Sequence, residues 1–293
     1  MGETKLSNRR TNRNIILSVG ATLVAKLMVL LQSSVISSVF GANEGVDLIF
    51  YMMSLAVVVT TFSSAVNQLV IVSNIIHVRD NRSPQEYRQT VRFFFSLYLI
   101  VATVLAGALM LFPGQVLGAL TSFEPEVIAA NLGIIRVMAM VLFFSVLNTY
   151  VMDVFTSHRV FILPMVNDVI KSLAIILFIL LPGQNTRIEM IVWGMLVAHI
   201  IQFLTINISF RRVFGFAVYP GFTRSMEKNA KKNVASVLLA QSASSLESMA
   251  MMGVASSFPA GYYVSFSLAR TIFSAVMNVV ILQFATVVGI DLI

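Results

Sequence analysis

Long apolar blocks separated by short polar breaks run through the whole chain. Each block reaches about 20 residues, the length that an α-helix needs to cross a bilayer. The blocks lack the two-residue alternation of barrel strands, and within lipid only helices or closed barrels satisfy the backbone. The pattern predicts an all-α, polytopic membrane bundle of eight transmembrane helices, at about 15–40, 46–77, 91–117, 127–152, 161–181, 188–210, 233–258 and 262–290.

The composition excludes several classes of protein. The 293 residues are 57% hydrophobic and 11% charged, with a mean hydropathy of +0.87, whereas soluble domains carry about 25% charged residues. The net charge of +7 lies in the loops of an apolar chain, so we expect membrane lipids rather than nucleic acid as partners. With no cysteine, disulfides, thiolate nucleophiles and zinc ribbons are excluded.

Basic residues collect on one side of the predicted membrane. Cytoplasmic loops carry an excess of Lys and Arg, and the opposite loops carry Arg187 with several acids. The charge pattern therefore predicts a multi-pass membrane protein with a cytoplasmic N-terminus and, after eight spans, a cytoplasmic C-terminus. The basic side holds 15 of the 20 Lys and Arg residues: Lys5, Arg9, Arg10, Arg13, Arg79, Arg82, Arg88, Arg92, Arg159, Arg211, Arg212, Arg224, Lys228, Lys231 and Lys232.

A long polar segment divides the chain into two unequal parts. Residues 211–232 carry Gly215 and Pro220 and a cationic second half. They form either a solvated loop near anionic headgroups or a hinge between two lobes. A weak repeat, in which 37–42 resembles 256–261, favours the hinge. We expect a cytoplasmic tail at 1–14, a six-helix lobe at 15–210, a linker at 211–232 and the first two helices of an incomplete second lobe at 233–293.

Four cations lie inside the predicted spans, where an ionised side chain is costly and by default indicates a functional site. Lys171 follows Asp168 by three residues, so we expect a structural ion pair between them. Arg136 either snorkels to the outer surface or faces a cavity. Lys26 and Arg270 each lie on a polar helical stripe, which predicts a watery lumen; hydrogen bonding to a neighbouring helix is the alternative for Arg270.

Polar faces on the first, second, seventh and eighth spans predict a hydrophilic, cationic cavity where two bundles meet. Single serines commonly serve only as contacts between helices, but four such faces together are harder to explain in that way. Glu247 is the acid at the middle of its span and either neutralises Lys26 or Arg270 or binds a coupling proton. Asp153 lies at a cytoplasmic helix end and needs no special role.

Motifs for catalysis are missing from the sequence. We find no phosphate-binding loop, no Gly-x-Gly-x-x-Gly and no Ser/His/Asp set. The three histidines, at 77, 158 and 199, lack the spacing of metal ligands. We therefore expect a protein that is not an enzyme and that has no cofactor and no metal.

The first span resembles the signature of the MurJ/MviN lipid II flippases, in the multidrug/oligosaccharidyl-lipid/polysaccharide exporter superfamily. The likeness lies in Ala25–Ala42, which ends in Val-Phe-Gly-Ala, and in Asp47. Phe258–Gly261 through Arg270 resembles the family's seventh-to-eighth helix stretch. A looser likeness covers Leu147, Asn148, Arg159, Pro164 and Asn167.

The resemblance implies a flippase of the bacterial cytoplasmic membrane that exports a polyprenyl-pyrophosphate-linked glycan, such as a peptidoglycan precursor or a polysaccharide unit, by alternating access. It also implies a coupling ion or the membrane potential as the energy source, and a fold of fourteen helices, of which this chain would be a truncated part. Lys26 retains the first of the signature's three cations, whereas Gln32 and Ser38 replace the others and Ser33 replaces its acid. These departures leave the particular glycan open.

The expected substrate-binding residues follow from the pyrophosphate charge, which cations would offset strongly in a low-dielectric cavity. The alternatives are a drug or cation antiporter of the same superfamily, which would need acids in its lumen, and a non-transporting fragment. Glu247 and Asp47 are the candidates for ion coupling or charge pairing. The candidates for substrate binding are Lys26, Arg270, Arg136, Ser33, Asn67, Gln241 and Ser248.

Overall fold

The computed structural model describes residues 2–41, 43–158, 160, 162–181, 187–221 and 228–277. Within these ranges the chain is helical and contains no strand. The helices are α1 (Gly2–Phe40), α2 (Glu44–Val66), α3 (Val72–Asn81), α4 (Pro84–Leu111), α5 (Pro113–Leu120), α6 (Pro125–Ala130), α7 (Leu132–Ser157), α8 (Ile162–Leu180), α9 (Glu189–Phe214), α10 (Lys228–Ala255) and α11 (Tyr262–Met277). A π-helical turn, Asn67–Ile71, joins α2 to α3 without a break.

Local sequence explains where several helices begin and end. The Asn43 side chain accepts a hydrogen bond from the Val46 amide at 3.0 Å and so caps the start of α2. Ser83 caps α4 in the same way, with Pro84 at the first helical position. At the end of α9, Gly215 takes the left-handed backbone (φ 73°) that favours glycine.

The first nine helices form one bundle around α7. This helix packs against α2, α4 and α9, while α8 packs against both α1 and α9. Val146, Tyr150 and Phe155 on α7 are completely buried. The Tyr150 hydroxyl donates a 2.6 Å hydrogen bond to the Val91 carbonyl on α4, so its polar atom is satisfied within the apolar core.

The last two helices pack on the outside of this bundle. Both α10 and α11 contact α2, and α11 also contacts α1. Between them the chain turns at Gly261. Its positive φ of 89° is readily adopted by glycine and strained for other residues. The segment that follows α9 lies against α4, where the Ser96 hydroxyl accepts from the Gly221 amide at 2.8 Å and Arg92 stacks 3.6 Å from the Tyr219 ring centroid.

The predicted all-α membrane fold is confirmed, and all eight predicted spans correspond to helices. Six of these are long and apolar enough to cross a membrane; α10 and α11 are not among them. Serines and Gln241 lower the hydropathy of α10, and α11 is described only as far as Met277. The predicted eighth span continues beyond that residue, and its remainder lies outside the described residues, as do linker residues 222–227.

Three predicted boundaries differ from the structure. The first span is predicted to begin at 15, whereas helix α1 begins at Gly2 and so includes residues 2–14 of the predicted tail. The predicted span 91–117 is divided, because Pro113 cannot donate an amide hydrogen bond and therefore ends α4 and begins α5. The predicted start at 127 falls inside the short helix α6, and the spanning helix α7 begins at Leu132.

Candidate functional site

A cavity of about 340 Å³ lies inside the first bundle, between α1, α2, α7, α8 and α9. Its apolar wall includes Met53, Met138 and Met195, whose flexible side chains adapt to irregular shapes. Its polar wall is formed by Lys26, Gln32, Thr60, Ser145, Asn148, Thr149, Asp168, Lys171, His199 and Gln202. A mixed lining of this size is typical of small-molecule sites.

Polar side chains of three helices join into a network along this cavity. Asn148 on α7 donates to the Gln202 side chain at 3.0 Å, and Gln202 on α9 donates to Asp168 at 3.0 Å. Lys171 and Asp168 on α8 form the predicted ion pair, at 3.2 Å, which confirms that expectation. Two of these bonds join different helices, and the ion pair holds the Asp168 carboxylate that accepts one of them. The network therefore fixes the mutual register of α7, α8 and α9.

Lys26 gives the cavity a positive charge. Its side chain is half-buried and lines the wall, and no described residue forms an ion pair with it. Two lysines against the one carboxylate of Asp168 leave the lining one positive charge in excess. Attraction for an anion is stronger here than in bulk water because the walls are largely apolar.

The amide oxygen of Asn148 is a free acceptor at the same wall. Asn148 is buried, and its Oδ1 has no hydrogen-bond partner among the described residues. A buried acceptor without a donor is unfavourable. The oxygen itself has almost no accessible surface, so a ligand in the cavity would reach it only after its neighbours shift.

The other predicted binding residues lie apart from this cavity. Arg270 on α11 donates to the Ser248 hydroxyl on α10 at 3.2 Å, so these two predicted residues do meet. Gln241 is half-buried on α10, Ser33 is buried on α1, and Arg136 is exposed on α7. None of these five side chains lines the cavity.

Glu247 and Asp47 occupy unlike positions. Glu247 is exposed, and among the described residues it forms no ion pair with Lys26 or Arg270. Asp47 is buried and accepts from the amides of Gly261 at 2.6 Å and Val264 at 2.8 Å. Its carboxylate therefore caps the start of α11, where backbone amides and the helix dipole favour a negative charge.

Aromatic rings close the same end of the molecule. Tyr51 lies 5.7 Å from Phe123 and 5.4 Å from Tyr263, measured between ring centroids. The Ser122 amide donates to the Ser256 hydroxyl at 2.8 Å, which ties the chain after α5 to the end of α10. The bundle and the α10–α11 pair are thus joined firmly at the Asp47 end.

Asn67, the remaining predicted residue, lies in the π-helical turn and faces α7. Its side chain donates to Asp153 at 2.7 Å, and the Ser64 hydroxyl donates to the same carboxylate at 3.1 Å. Asp153 therefore forms a buried cluster with Asn67 and Ser64, although its position at a helix end indicated no special role.

Sequence reasoning missed most of the cavity wall. Asn148, His199 and Gln202 are polar residues near the middle of apolar spans, which was the available signal. Their convergence depends on how α7, α8 and α9 are rotated against each other. A single sequence does not contain that information.

A known protein family matches most of the chain. The family described as lipid II flippase MurJ matches residues 36–288. No curated protein matches the sequence at a significant level.

Solved structures show the same fold at low sequence identity. A lipid II flippase MurJ in an inward closed conformation has a TM-score of 0.69 and 17% identity, over 88% of this chain and 54% of that one. An inward-facing multidrug resistance transporter of the MATE family has a TM-score of 0.68 and 16% identity, over 92% and 64%. A MOP superfamily transporter from Pyrococcus furiosus, described as having a reversed polarity of its binding pocket, has a TM-score of 0.60 and 15% identity, over 93% and 62%. The chain thus spans between about half and two thirds of the length of these proteins.

Proposed function

We propose, from the fact that this chain belongs to the lipid II flippase MurJ family, that the protein moves a polyprenyl-pyrophosphate-linked glycan outward across the cell membrane. The match over residues 36–288 is the observation that carries the proposal. The alternating access that the resemblance implies would then take place between the bundle α1–α9 and the pair α10–α11. The coupling ion or membrane potential that drives it belongs to the same proposal.

The charge of the cavity supports an anionic substrate. Lys26 lacks a countercharge among the described residues, so an entering diphosphate would gain a charge-assisted hydrogen bond. A cavity of about 340 Å³ accommodates the diphosphate and its neighbouring sugar rather than a whole glycan, so the rest of the headgroup would extend beyond it.

Arg270, Ser248 and Gln241 belong to the proposal as a second contact region on α10 and α11. In the present arrangement Arg270 is held by Ser248. An approaching phosphate would compete for this guanidinium, since Arg pairs with phosphate in a bidentate geometry that a serine cannot offer. Arg136 and Ser33, outside the cavity, remain weaker candidates.

Cation extrusion is the competing function, and the cavity does not favour it. Asp168 is the carboxylate of the lining, and Lys171 already compensates its charge. A cationic drug would meet an excess of positive charge. We therefore place glycan export ahead of cation antiport.

Substitution of Lys26 tests the proposal. In proteoliposomes that contain the protein and a fluorescent polyprenyl-diphosphate glycan, we expect Lys26→Ala to slow flipping by about 10- to 100-fold, the equivalent of the 1.5–3 kcal/mol of a charged hydrogen bond. Lys26→Arg keeps the charge and should retain most of the activity. Arg212→Gln, at an exposed site on α9 that does not line the cavity, serves as the matched control.

Two outcomes would contradict the proposal. One is an unchanged flipping rate when Lys26→Ala is combined with Arg270→Ala. The other is uptake of a lipophilic cation such as tetraphenylphosphonium, without glycan movement, in the same vesicles. The second result would favour the antiporter.

A further inference from the structure

Asp153 is a buried carboxylate that the cavity and the proposed substrate leave unexplained. It lies near the end of α7 with 9% of its surface exposed. Both of its oxygens accept hydrogen bonds from the second predicted span: Asn67 donates to Oδ2 at 2.7 Å, and Ser64 donates to Oδ1 at 3.1 Å. The side chain is therefore directed at the segment where α2 ends.

No positive charge compensates this carboxylate among the described residues. The ion pairs found there join Arg79 to Asp80 and Lys171 to Asp168. From α4, the Tyr98 phenol faces Asp153, but its hydroxyl donates to the Ser63 carbonyl at 2.9 Å. The other side chains found to interact with Asp153 are the neutral Asn67 and Ser64. An unpaired ion inside a membrane protein is costly, and the usual remedy is to become neutral.

The Asn67 amide can serve Asp153 in both protonation states. Asn67 is 1% exposed, and its Oδ1 has no hydrogen-bond partner in the described chain. While Asp153 is ionised, Asn67 donates through Nδ2. After a half-turn of the amide, Oδ1 faces Asp153 and accepts from a protonated carboxyl group, because an amide presents a donor and an acceptor on opposite sides.

The same residue begins an irregular turn of the helix. Asn67 opens the π-helical segment Asn67–Ile71, and its backbone amide donates to both the Ser63 and Ser64 carbonyls. Such turns are marginal in energy and occur frequently at functional sites. A rearrangement of the Asn67 side chain therefore acts on a segment that has two accessible geometries, π-helical and α-helical.

We propose that Asp153 and Asn67 form a proton-binding site that controls the π-helical turn between α2 and α3. A proton from water binds Asp153 Oδ2, the carboxylate becomes a neutral carboxyl group, and its O–H then donates to Asn67 Oδ1. The reverse step returns the proton to water and restores the Nδ2 donor. One charge is lost or gained at the site, and no other reactant takes part.

A proton fits this site better than a metal ion does. The donors of Asn67 and Ser64 contact the carboxylate directly, which leaves no ligand-free space between them. The three side chains also supply fewer oxygens than the six or so that a hard cation takes.

The site is placed to communicate with the cavity. Thr149 and Met152, which precede Asp153 on α7, line the cavity, as does Thr60 on α2. A change in the turn would therefore shift the α2 wall of the cavity. This consequence for transport rests on the proposed function, whereas proton binding itself does not.

Infrared spectroscopy and hydrogen exchange on the purified full chain test the proposal. We expect acidification to produce a protonated-carboxyl band that is absent from Asp153→Asn, a neutral side chain of the same shape. Amide exchange over residues 64–72, relative to α4, should slow by about tenfold as Asp153 becomes neutral, or about 1.4 kcal/mol of local stability. In Asp153→Asn the slow rate should hold at every pH.

Asp80→Asn is the matched control, because Asp80 is an exposed, ion-paired carboxylate on α3. It should leave the band and the exchange of the turn unchanged. If Asp153→Asn does not fold, Asn67→Leu replaces it. Amide exchange over residues 64–72 should then depend on pH in the unmodified chain and should lose that dependence in Asn67→Leu.

Three results would overturn the proposal. They are a pH response that survives in Asp153→Asn, a turn whose exchange ignores pH in the unmodified chain, and a response to Na⁺ at constant pH in place of one to protons. None of these depends on flipping, so failure here is distinguishable from failure of the proposed function.

Discussion

At the scale of single residues, Asp47 shows how one carboxylate can join two parts of a membrane protein. It belongs to the first turn of α2, yet its hydrogen bonds are to the amides at the start of α11. Charged acceptors form stronger hydrogen bonds than neutral ones. Asp47 therefore holds the start of α11, and its role in ion coupling or charge pairing stays a prediction.

Replacement of Asp47 should loosen α11. We expect Asp47→Asn to lower the free energy of unfolding by about 1.5–3 kcal/mol, because one amide would keep only a neutral acceptor and the other would face an NH2 group. Thermal unfolding in detergent measures this, and amide exchange at Gly261 and Val264 should accelerate. Glu44→Gln, an exposed acid one turn earlier, should change neither; equal effects of the two variants would refute the cap.

At the scale of helices, α8 and α9 can pack closely because Gly194 has no side chain at their contact. A Cβ atom at Gly194 would lie 3.0 Å from the Cβ of Phe178, which is tighter than ordinary packing. Small residues permit such approach between membrane helices. The position of α9 in turn sets Gln202 and His199 at the cavity.

Gly194→Ala should therefore destabilise the bundle by about 1–3 kcal/mol through overpacking. Gly107→Ala is the matched control, because Gly107 lies within α4 and no atom approaches its missing Cβ within 4 Å. There we expect no loss, or a gain of about 0.5 kcal/mol from the helix preference of alanine. Chemical unfolding curves of the two variants should diverge; coinciding curves would contradict the tight contact.

The helices themselves could be predicted from the sequence, because polar breaks mark their ends. Gly41 ends the first span and Asn43 caps the second, so their junction agrees with the expectation to within two residues. The Lys171 to Asp168 pair was predictable for the same reason, since three residues on one helix place side chains together. Contacts between helices were not predictable. The bond between Asp47 and α11 joins residues 217 positions apart, and the bond between Asn67 and Asp153 joins residues 86 positions apart. Hydrophobic periodicity contains no information about contacts at such separations.

At the scale of the whole molecule, the distribution of basic residues predicts how the protein lies in the membrane. The α3–α4 junction carries Arg79, Arg82 and Arg88, while the Asp47 end carries acids. The basic side should face the cytoplasm. The junction of the two parts would then lie on the external side.

Cysteine labelling tests this orientation directly, because the chain contains no cysteine of its own. In intact cells, we expect a membrane-impermeant maleimide to label Glu126→Cys, at the exposed start of α6. It should label Gln85→Cys, at the exposed start of α4, only after the membrane is permeabilised. The opposite labelling pattern would invert the proposed topology.

The positive φ at Gly261, together with the Asp47 bonds beside it, makes the external junction a fulcrum. The 28 residues of α10 extend away from it by about 42 Å, at about 1.5 Å per residue. A swing of about 10° about that point would carry the far end of the helix roughly 7 Å, a leverage that follows from this helical rise alone. Under the proposed function, a small backbone adjustment at this one glycine would open a headgroup-sized gap at the opposite face of the membrane.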